Sequence, residues 1–159
     1  VEQRINEVAH ADAGAPPVMF AWLEPLGLGG HVLLAHTGAA SRGCFECLYH
    51  HADDGALACR AAFAAPGGRY TRDMMGCGSQ HMPFADLDAQ KTAVYAARRA
   101  IDLLQGATEG DGLVSWKGSP DTFRAAGFAT TLRYDSCAAE EALPGASIVR
   151  PDCPVCRMP

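Results

Sequence analysis

The chain has 159 residues, of which 48% are hydrophobic, so its length and composition suit one globular domain with its own core. Its net charge of -5 comes from 18 acidic and 13 basic residues without a basic run, which argues against a nucleic-acid partner. The longest apolar stretch, Val18 to Leu23, is far too short to cross a bilayer, so we expect a soluble protein without a membrane partner.

The first residues have the pattern of an amphipathic helix and not that of a leader peptide. One face of this helix carries Val1, Ile5, Val8 and Ala9, and Gly14 is a suitable stop signal. Because the pattern is that of the middle of a helix, we expect the chain to begin inside a larger protein. Seven cysteines without a secretory leader indicate a reducing compartment, which predicts a cytoplasmic protein.

Two β-prone runs follow, Val18 to Leu23 and His31 to His36, and the glycine-rich turn between them predicts neighbouring strands. The next segment, residues 37–76, is rich in Gly, Ala and Pro. We therefore predict a partly mobile excursion whose base is fixed by its cysteine pair. His31 in the second run is either a contact for a ligand or a strand residue with a satisfied hydrogen bond.

A long helix is predicted from Asp86 or Asp88 to Gln105, with Gly106 as its stop. Its apolar face is formed by Val94, Ala97, Ile101 and Leu104.

Beyond this helix, alternating apolar residues predict strands at Gly112 to Lys117 and Ala129 to Asp135. Turns and short helical pieces are predicted at Ser119 to Gly127 and at Ala138 to Ala146. Together the elements predict an α/β fold in which a long helix crosses a mixed sheet.

Two Cys-x-x-Cys pairs, Cys44-Phe-Glu-Cys47 and Cys153-Pro-Val-Cys156, are typical of zinc knuckles. Together they offer four thiolates to one tetrahedral ion. The long stretch between them means that the metal would close a large loop, which is a structural role. Three alternatives stay open: unrelated core cysteines, a local site that uses His50 and His51 with the first pair, and a rubredoxin-like iron centre.

Of the other cysteines, Cys77 is flanked by Gly76 and Gly78 and precedes the long helix, so a reactive thiol is plausible there. Cys59 and Cys137 lie in alanine-rich surroundings and are interpreted as small apolar fillers. The chain contains neither a Gly-x-Gly-x-x-Gly motif at the start of a βα unit nor a Walker loop, so by itself it lacks a nucleotide site.

In their order, these segments resemble the ThiF/MoeB family of adenylyltransferases, which includes the catalytic domains of ubiquitin-activating enzymes. The matching segments are Ile5-Asn6, Gly27-Leu-Gly-Gly30-His-Val-Leu-Leu34, Gly43-Cys-Phe-Glu-Cys-Leu48, Ala96-Ala-Arg-Arg-Ala-Ile-Asp-Leu-Leu-Gln-Gly106 and Cys153-Pro-Val-Cys156.

The resemblance implies that the chain is the carboxyl-terminal part of a Rossmann-type domain, whose ATP-binding half precedes Val1 in the family. It implies an enzyme that uses ATP and Mg²⁺ to activate the terminal glycine of a ubiquitin-like or sulfur-carrier protein. The chain alone should not adenylate anything. Because separation from the other half would expose edges, we also expect a homo-oligomer.

Family members that form thioesters carry the reactive cysteine on a crossover loop between the first knuckle and the long helix, where Cys77 stands here. The resemblance therefore implies that Cys77 is the thioester-forming nucleophile. Two other functions stay open. One is a MoeB-like enzyme that needs no catalytic cysteine, and the other is a non-catalytic, zinc-stabilised interaction or dimerisation module.

Overall fold

A computed structural model of the chain describes residues 1–37, 43–51, 55–73, 80–106 and 112–156. Its α-helices are α1 Glu2–Ala11, α2 Asp86–Leu104, α3 Asp121–Ala125, α4 Leu132–Ser136 and α5 Gly145–Ile148. Its strands are β1 Val18–Leu23, β2 Gly29–Ala35, β3 Tyr49–His51, β4 Leu57–Cys59, β5 Arg72–Asp73, β6 Gln80–His81, β7 Gly112–Lys117 and β8 Glu140–Pro144. Short 3₁₀ helices span Pro25–Gly27 and Phe45–Leu48. None of the described helices combines the length and the apolar character that a membrane span requires.

The main sheet has four strands in the order β1-β2-β7-β8, and each neighbouring pair is antiparallel. Phe20 of β1 lies opposite Leu33 of β2, which in turn lies opposite Leu113 of β7. The α/β class and the β1–β2 pair are thus confirmed. The predicted mixed sheet is wrong for the described residues, because the short turn after β1 forces an antiparallel pair and the long connection from β2 also returns antiparallel.

The larger core lies between one face of this sheet and the segment that carries the first cysteine pair. Phe20, Leu33 and Leu113 project from the sheet, and Phe45 and Leu48 pack against them from the 3₁₀ turn. The rings of Phe20 and Phe45 stack with their centroids 4.6 Å apart. The apolar residues on either side of Cys47 therefore fix the first cysteine pair to the sheet.

Helix α2 crosses the opposite face of the sheet, and the predicted helix is confirmed to within a residue or two at its ends. The residue that it buries is Thr92, whose hydroxyl accepts a 2.9 Å hydrogen bond from Nε1 of Trp116 on β7. Gly30 permits this approach, because a Cβ there would lie 2.4 Å from the Thr92 hydroxyl oxygen. The predicted apolar face points away from the sheet, and its members Val94 and Ile101 are 51% and 52% exposed.

The carboxyl-terminal region agrees with the sequence only in part. β7 and the short helix α3 lie where a strand and a helical piece are predicted. The strand predicted at Ala129 to Asp135 is wrong, because the Thr131 hydroxyl caps α4 by accepting a hydrogen bond from the Tyr134 amide. Residues 138–146 contain β8 as well as the start of α5, so the prediction of turns and helical pieces there misses an edge strand.

Helix α1 ends at Ala11, before the predicted stop at Gly14, and packs differently from its predicted apolar face. The side chains that it buries belong to Asn6 and Ala9, whereas Ile5 and Val8 are 47% and 53% exposed. A polar amide thus occupies the most enclosed position on this helix.

Candidate metal centre

The two Cys-x-x-Cys pairs meet at one point of the fold. The sulfur of Cys44 lies 3.9 Å from that of Cys47 and 3.6 Å from that of Cys153. Cys47 and Cys156 are 3.4 Å apart, and all four sulfurs lie within 4.8 Å of one another. A tetrahedral zinc ion with Zn–S bonds of about 2.3 Å requires sulfur–sulfur separations of about 3.8 Å. The four thiols therefore fit a tetrahedral four-sulfur metal site.

Local backbone geometry forms the first pair. Cys44 precedes the 3₁₀ turn Phe45–Leu48, and the amide of Cys47 donates a 3.1 Å hydrogen bond to the carbonyl of Cys44. Gly43 has a φ of +122°, and a Cβ there would meet the carbonyl oxygen of Gly145 and a side-chain carbon of Ile148, each at 2.7 Å. This glycine lets the first pair lie directly against the end of the chain that carries the second pair.

Two arginines tie the second pair to the first. One guanidinium nitrogen of Arg60 donates to the carbonyls of Cys47 and Ile148, at 3.4 and 3.2 Å. Arg150 donates to the carbonyl of Tyr49, and its own carbonyl accepts a 3.1 Å hydrogen bond from the amide of Cys153. Neither arginine is marked by any motif, so the sequence predicts the ligands and misses the side chains that bring the two pairs together.

The enclosure of the site affects the thiols unequally. Cys44 and Cys47 are fully buried, and Cys153 is 2% exposed. The pKa of the Cys44 thiol is raised, first by its hydrogen bond to Cys47 and then by burial. The hydrogen bond from the Asn6 amide offsets part of this rise. The hydrogen bond from Cys44 lowers the pKa of Cys47 to about 4. The two opposite shifts have one cause, because the hydrogen bond between the two sulfurs stabilises a thiolate on Cys47 and disfavours one on Cys44.

The alternative local site is not supported by the geometry. His50 and His51 lie on strand β3, both are exposed, and the ring of His51 lies 3.2 Å from the carbonyl of Gly55. Among the described residues, the four cysteines are the group whose ligand atoms come together as a metal site requires. The reading of these four thiols as unrelated core cysteines is likewise disfavoured by their convergence.

The remaining cysteines fall into two groups. Cys77, the predicted nucleophile, lies outside the described residues, so its assignment rests on the sequence alone. Cys59 and Cys137 pack in or against the apolar clusters, and burial raises the pKa of each thiol. Raised pKa values disfavour thiolates, as expected for the predicted apolar fillers.

His31 belongs to a buried polar cluster that the sequence does not predict. Its Nδ1 lies 2.9 Å from the hydroxyl of Ser115, and its Nε2 lies 3.1 Å from the carboxylate of Glu24. The same carboxylate accepts hydrogen bonds from the amides of Phe63 and Ala64. Hydroxyl, imidazole and carboxylate are also the parts of a catalytic triad. Here His31 and Ser115 have no exposed surface, so no substrate reaches them. The role of the cluster is structural, because its hydrogen bonds join β2, β7 and the 55–73 segment.

Comparison of the chain with protein-family models, with curated proteins and with solved structures finds no match. The functional proposals therefore depend on the geometry of the chain's own residues and on the resemblance of its sequence segments.

Proposed function

We propose that the chain binds one structural zinc ion through Cys44, Cys47, Cys153 and Cys156. The observation that carries the proposal is the convergence of their sulfurs within 4.8 Å. Four thiolates are a complete ligand set for zinc, whereas catalytic zinc sites keep one position open for water or substrate. The burial of the site supports the structural role, because three of the four cysteines are almost fully enclosed.

Iron is the chemical alternative, because a four-cysteine site also suits a rubredoxin-like centre. Elemental analysis of the purified chain tests both metals. One zinc per chain, lost when Cys44 or Cys153 is replaced by Ser, is the expected result. Stoichiometric iron with visible thiolate-to-iron absorption would identify the other centre, and absence of both metals would contradict the proposal.

We further propose that the chain is part of an ATP-dependent adenylyltransferase that activates a ubiquitin-like or sulfur-carrier protein. The support is the ordered resemblance to the ThiF/MoeB family, from Asn6 on the first helix to the second cysteine pair. In this proposal ATP and Mg²⁺ bind to the other half of the family fold, which precedes the segments that this chain resembles. We therefore expect no adenylation by the 159-residue chain alone.

Cys77 is the proposed nucleophile of the following step. Its thiolate would attack the carbonyl carbon of the carrier's glycyl adenylate. A carbon–sulfur bond forms, the bond between that carbon and the phosphate oxygen breaks, and AMP leaves with the electron pair. The carrier would then be held on Cys77 as a thioester.

An activated donor tests this step without the ATP-binding half. The probe is a short peptide that ends in Gly-Gly and is supplied as its acyl adenylate, and the readout is the mass of the intact, metal-loaded chain. We expect one hydroxylamine-sensitive adduct that maps to Cys77 and disappears in Cys77→Ser. Cys59→Ser is the matched control and should keep the adduct.

Two outcomes would favour the other candidate functions. If Cys77→Ser in the complete enzyme leaves the activation of a carrier unchanged, the MoeB-like reaction is indicated. In that reaction the adenylate passes directly to a sulfur donor. A chain that gives no adduct and no reactive thiol would favour the zinc-stabilised interaction or dimerisation module. That module is supported by the exposed apolar residues Leu87, Val94, Ile101 and Leu104 on α2.

A further inference from the structure

The side chain of Asn6 makes two hydrogen bonds at the edge of the four-cysteine site. Its Nδ2 lies 3.5 Å from the sulfur of Cys44, to which it donates, and its Oδ1 accepts a 3.2 Å hydrogen bond from the amide of Phe45. Asn6 has no exposed surface. Both the nitrogen and the oxygen of the side-chain amide are thus hydrogen-bonded to the first Cys-x-x-Cys segment, to residues that lie 38 and 39 positions further along the chain.

This contact has a chemical consequence for a metal. Four thiolates around a divalent ion leave a net negative charge, which an amide donor to sulfur stabilises without displacing a ligand. Substitution of such outer-sphere partners typically lowers metal affinity by about 10- to 100-fold. The donor from Asn6 faces a ligand of the site, so it is placed for this role.

The contact also has a consequence for α1. The helix has few other anchors, because Ile5 and Val8 are about half exposed and the buried Ala9 contributes only a methyl group. Gln3 reaches the same 3₁₀ turn through a 3.2 Å hydrogen bond to Glu46, but this bond is exposed to solvent and competes with water. The specific, water-excluded attachment of α1 therefore passes through Asn6.

We propose that Asn6 is an outer-sphere partner of the metal centre and that it makes the docking of α1 depend on bound metal. The inference depends on the four-cysteine metal site proposed above. It assigns to Asn6 a positioning role in which the amide holds the Cys44 sulfur and the helix in one arrangement.

Two substitutions separate the hydrogen bonds of Asn6. Asn6→Asp keeps an oxygen that can accept from the Phe45 amide but replaces the donor that faces the sulfur, whereas Asn6→Leu removes both bonds at similar volume. We expect Asn6→Asp to lower zinc affinity, measured against a competing chelator, by about 10- to 100-fold. The sulfur-to-cobalt charge-transfer band of the Co²⁺-loaded chain should also shift, because the charge on one thiolate changes.

Gln3→Ala is the matched control, since it removes the neighbouring contact between α1 and Glu46 without touching a sulfur. It should leave zinc affinity and the cobalt band unchanged. An Asn6→Asp chain with the affinity and the cobalt spectrum of the wild type would overturn the inference while leaving the metal site intact. A wild-type chain that retains no metal would overturn both.

Hydrogen exchange of the wild-type chain gives a second test that needs no substitution at Asn6. Backbone amides in residues 2–11 should exchange at least about tenfold more slowly in the zinc-loaded chain than after chelation, as expected for a helix whose local opening is coupled to the site. Zinc-loaded Asn6→Leu should lose most of this difference. Equal exchange of α1 with and without zinc, while residues 43–48 respond to the metal, would contradict the coupling.

Discussion

The sulfurs of Cys44 and Cys153 lie 3.6 Å apart although 109 residues separate them along the chain. Strands β7 and β8 of the main sheet and helix α2 lie between the two cysteines, within the loop that a shared metal would close. A cross-link that closes a loop of about 100 residues reduces the entropy of the unfolded chain by an amount equivalent to about 4 to 5 kcal/mol. The metal is therefore expected to contribute a large share of the stability of a domain of this size.

Loss of the metal should be strongly destabilising. We expect chelation, or Cys153→Ser, to lower the free energy of unfolding by about 4 kcal/mol, because the loop is no longer closed and three buried thiols lose their partner. Chemical denaturation of the loaded and chelated chains measures the difference. Cys137→Ala is a suitable control, since that cysteine is buried away from the site and should retain full metal content. Equal stability with and without metal would contradict the structural role.

Metal binding should weaken as the pH falls. Protons compete with the metal for all four thiolates, so the stability that the metal adds is present at neutral and higher pH and is lost on acidification. In the absence of metal, the hydrogen bond from Cys44 lowers the pKa of Cys47, so we expect this thiol to be ionised at pH 7. The Cys44 pKa is raised, so its proton must leave when metal binds.

Zinc uptake at pH 7 is therefore expected to release fewer than four protons per ion. Calorimetric titration in buffers that differ in their ionisation enthalpies measures this number. On acidification, as Cys47 also becomes protonated in the metal-free chain, the number should rise while the affinity falls. Release of four protons at pH 7 would show that the Cys44–Cys47 pair holds no thiolate before metal binds.

The buried cluster around His31 should matter for stability and not for chemistry. Ser115→Ala leaves Nδ1 of His31 without its partner at 2.9 Å, and an unsatisfied buried polar group costs about 1 to 3 kcal/mol. Thermal or denaturant unfolding of this variant measures the loss. Ser136→Ala, at an exposed serine, should change stability by no more than about 0.5 kcal/mol. An unchanged Ser115→Ala chain would indicate that water replaces the hydroxyl.

The features that the sequence predicted correctly are those with local signals. The Cys-x-x-Cys spacings specify the ligands because a tight turn brings the two sulfurs of each pair together, and Gly106 at φ +68° marks the end of α2 for a similar local reason. β1 and β2 are predictable because their apolar runs are separated by a short turn that contains glycine. In each case the information lies within a few neighbouring residues.

The features that were missed depend on contacts between distant residues. β8, with the sequence Glu-Glu-Ala-Leu-Pro, has weak intrinsic preference for a strand, and it forms one by pairing with β7 at the sheet edge. The hydrogen bonds from Asn6 to the Cys44 sulfur and from Arg60 to the Cys47 carbonyl likewise arise from packing of separate segments. Nothing in the spacing of these residues indicates their partners.

The apolar stripe of α2 leads to the last prediction. Leu87, Val94 and Ile101 are seven residues apart, Leu104 lies three residues beyond, and these four side chains are 51 to 86% exposed. Seven-residue spacing of apolar positions is typical of helices that pack against a second helix. We therefore expect two copies of the chain to associate through α2, which agrees with the homo-oligomer proposed from the sequence.

Sedimentation of the wild-type chain should give a mass above that of the monomer, because the stripe is the helix face that the sheet leaves uncovered. Ile101→Glu should shift the chain to the monomer, since a charge within the stripe would have to be buried in the associated form. Leu132→Glu places the same charge at an exposed leucine on α4, outside the stripe, and should sediment like the wild type. A wild-type chain that remains monomeric up to its solubility limit would contradict self-association. If the oligomer persists in Ile101→Glu, the copies associate through a surface other than the stripe on α2.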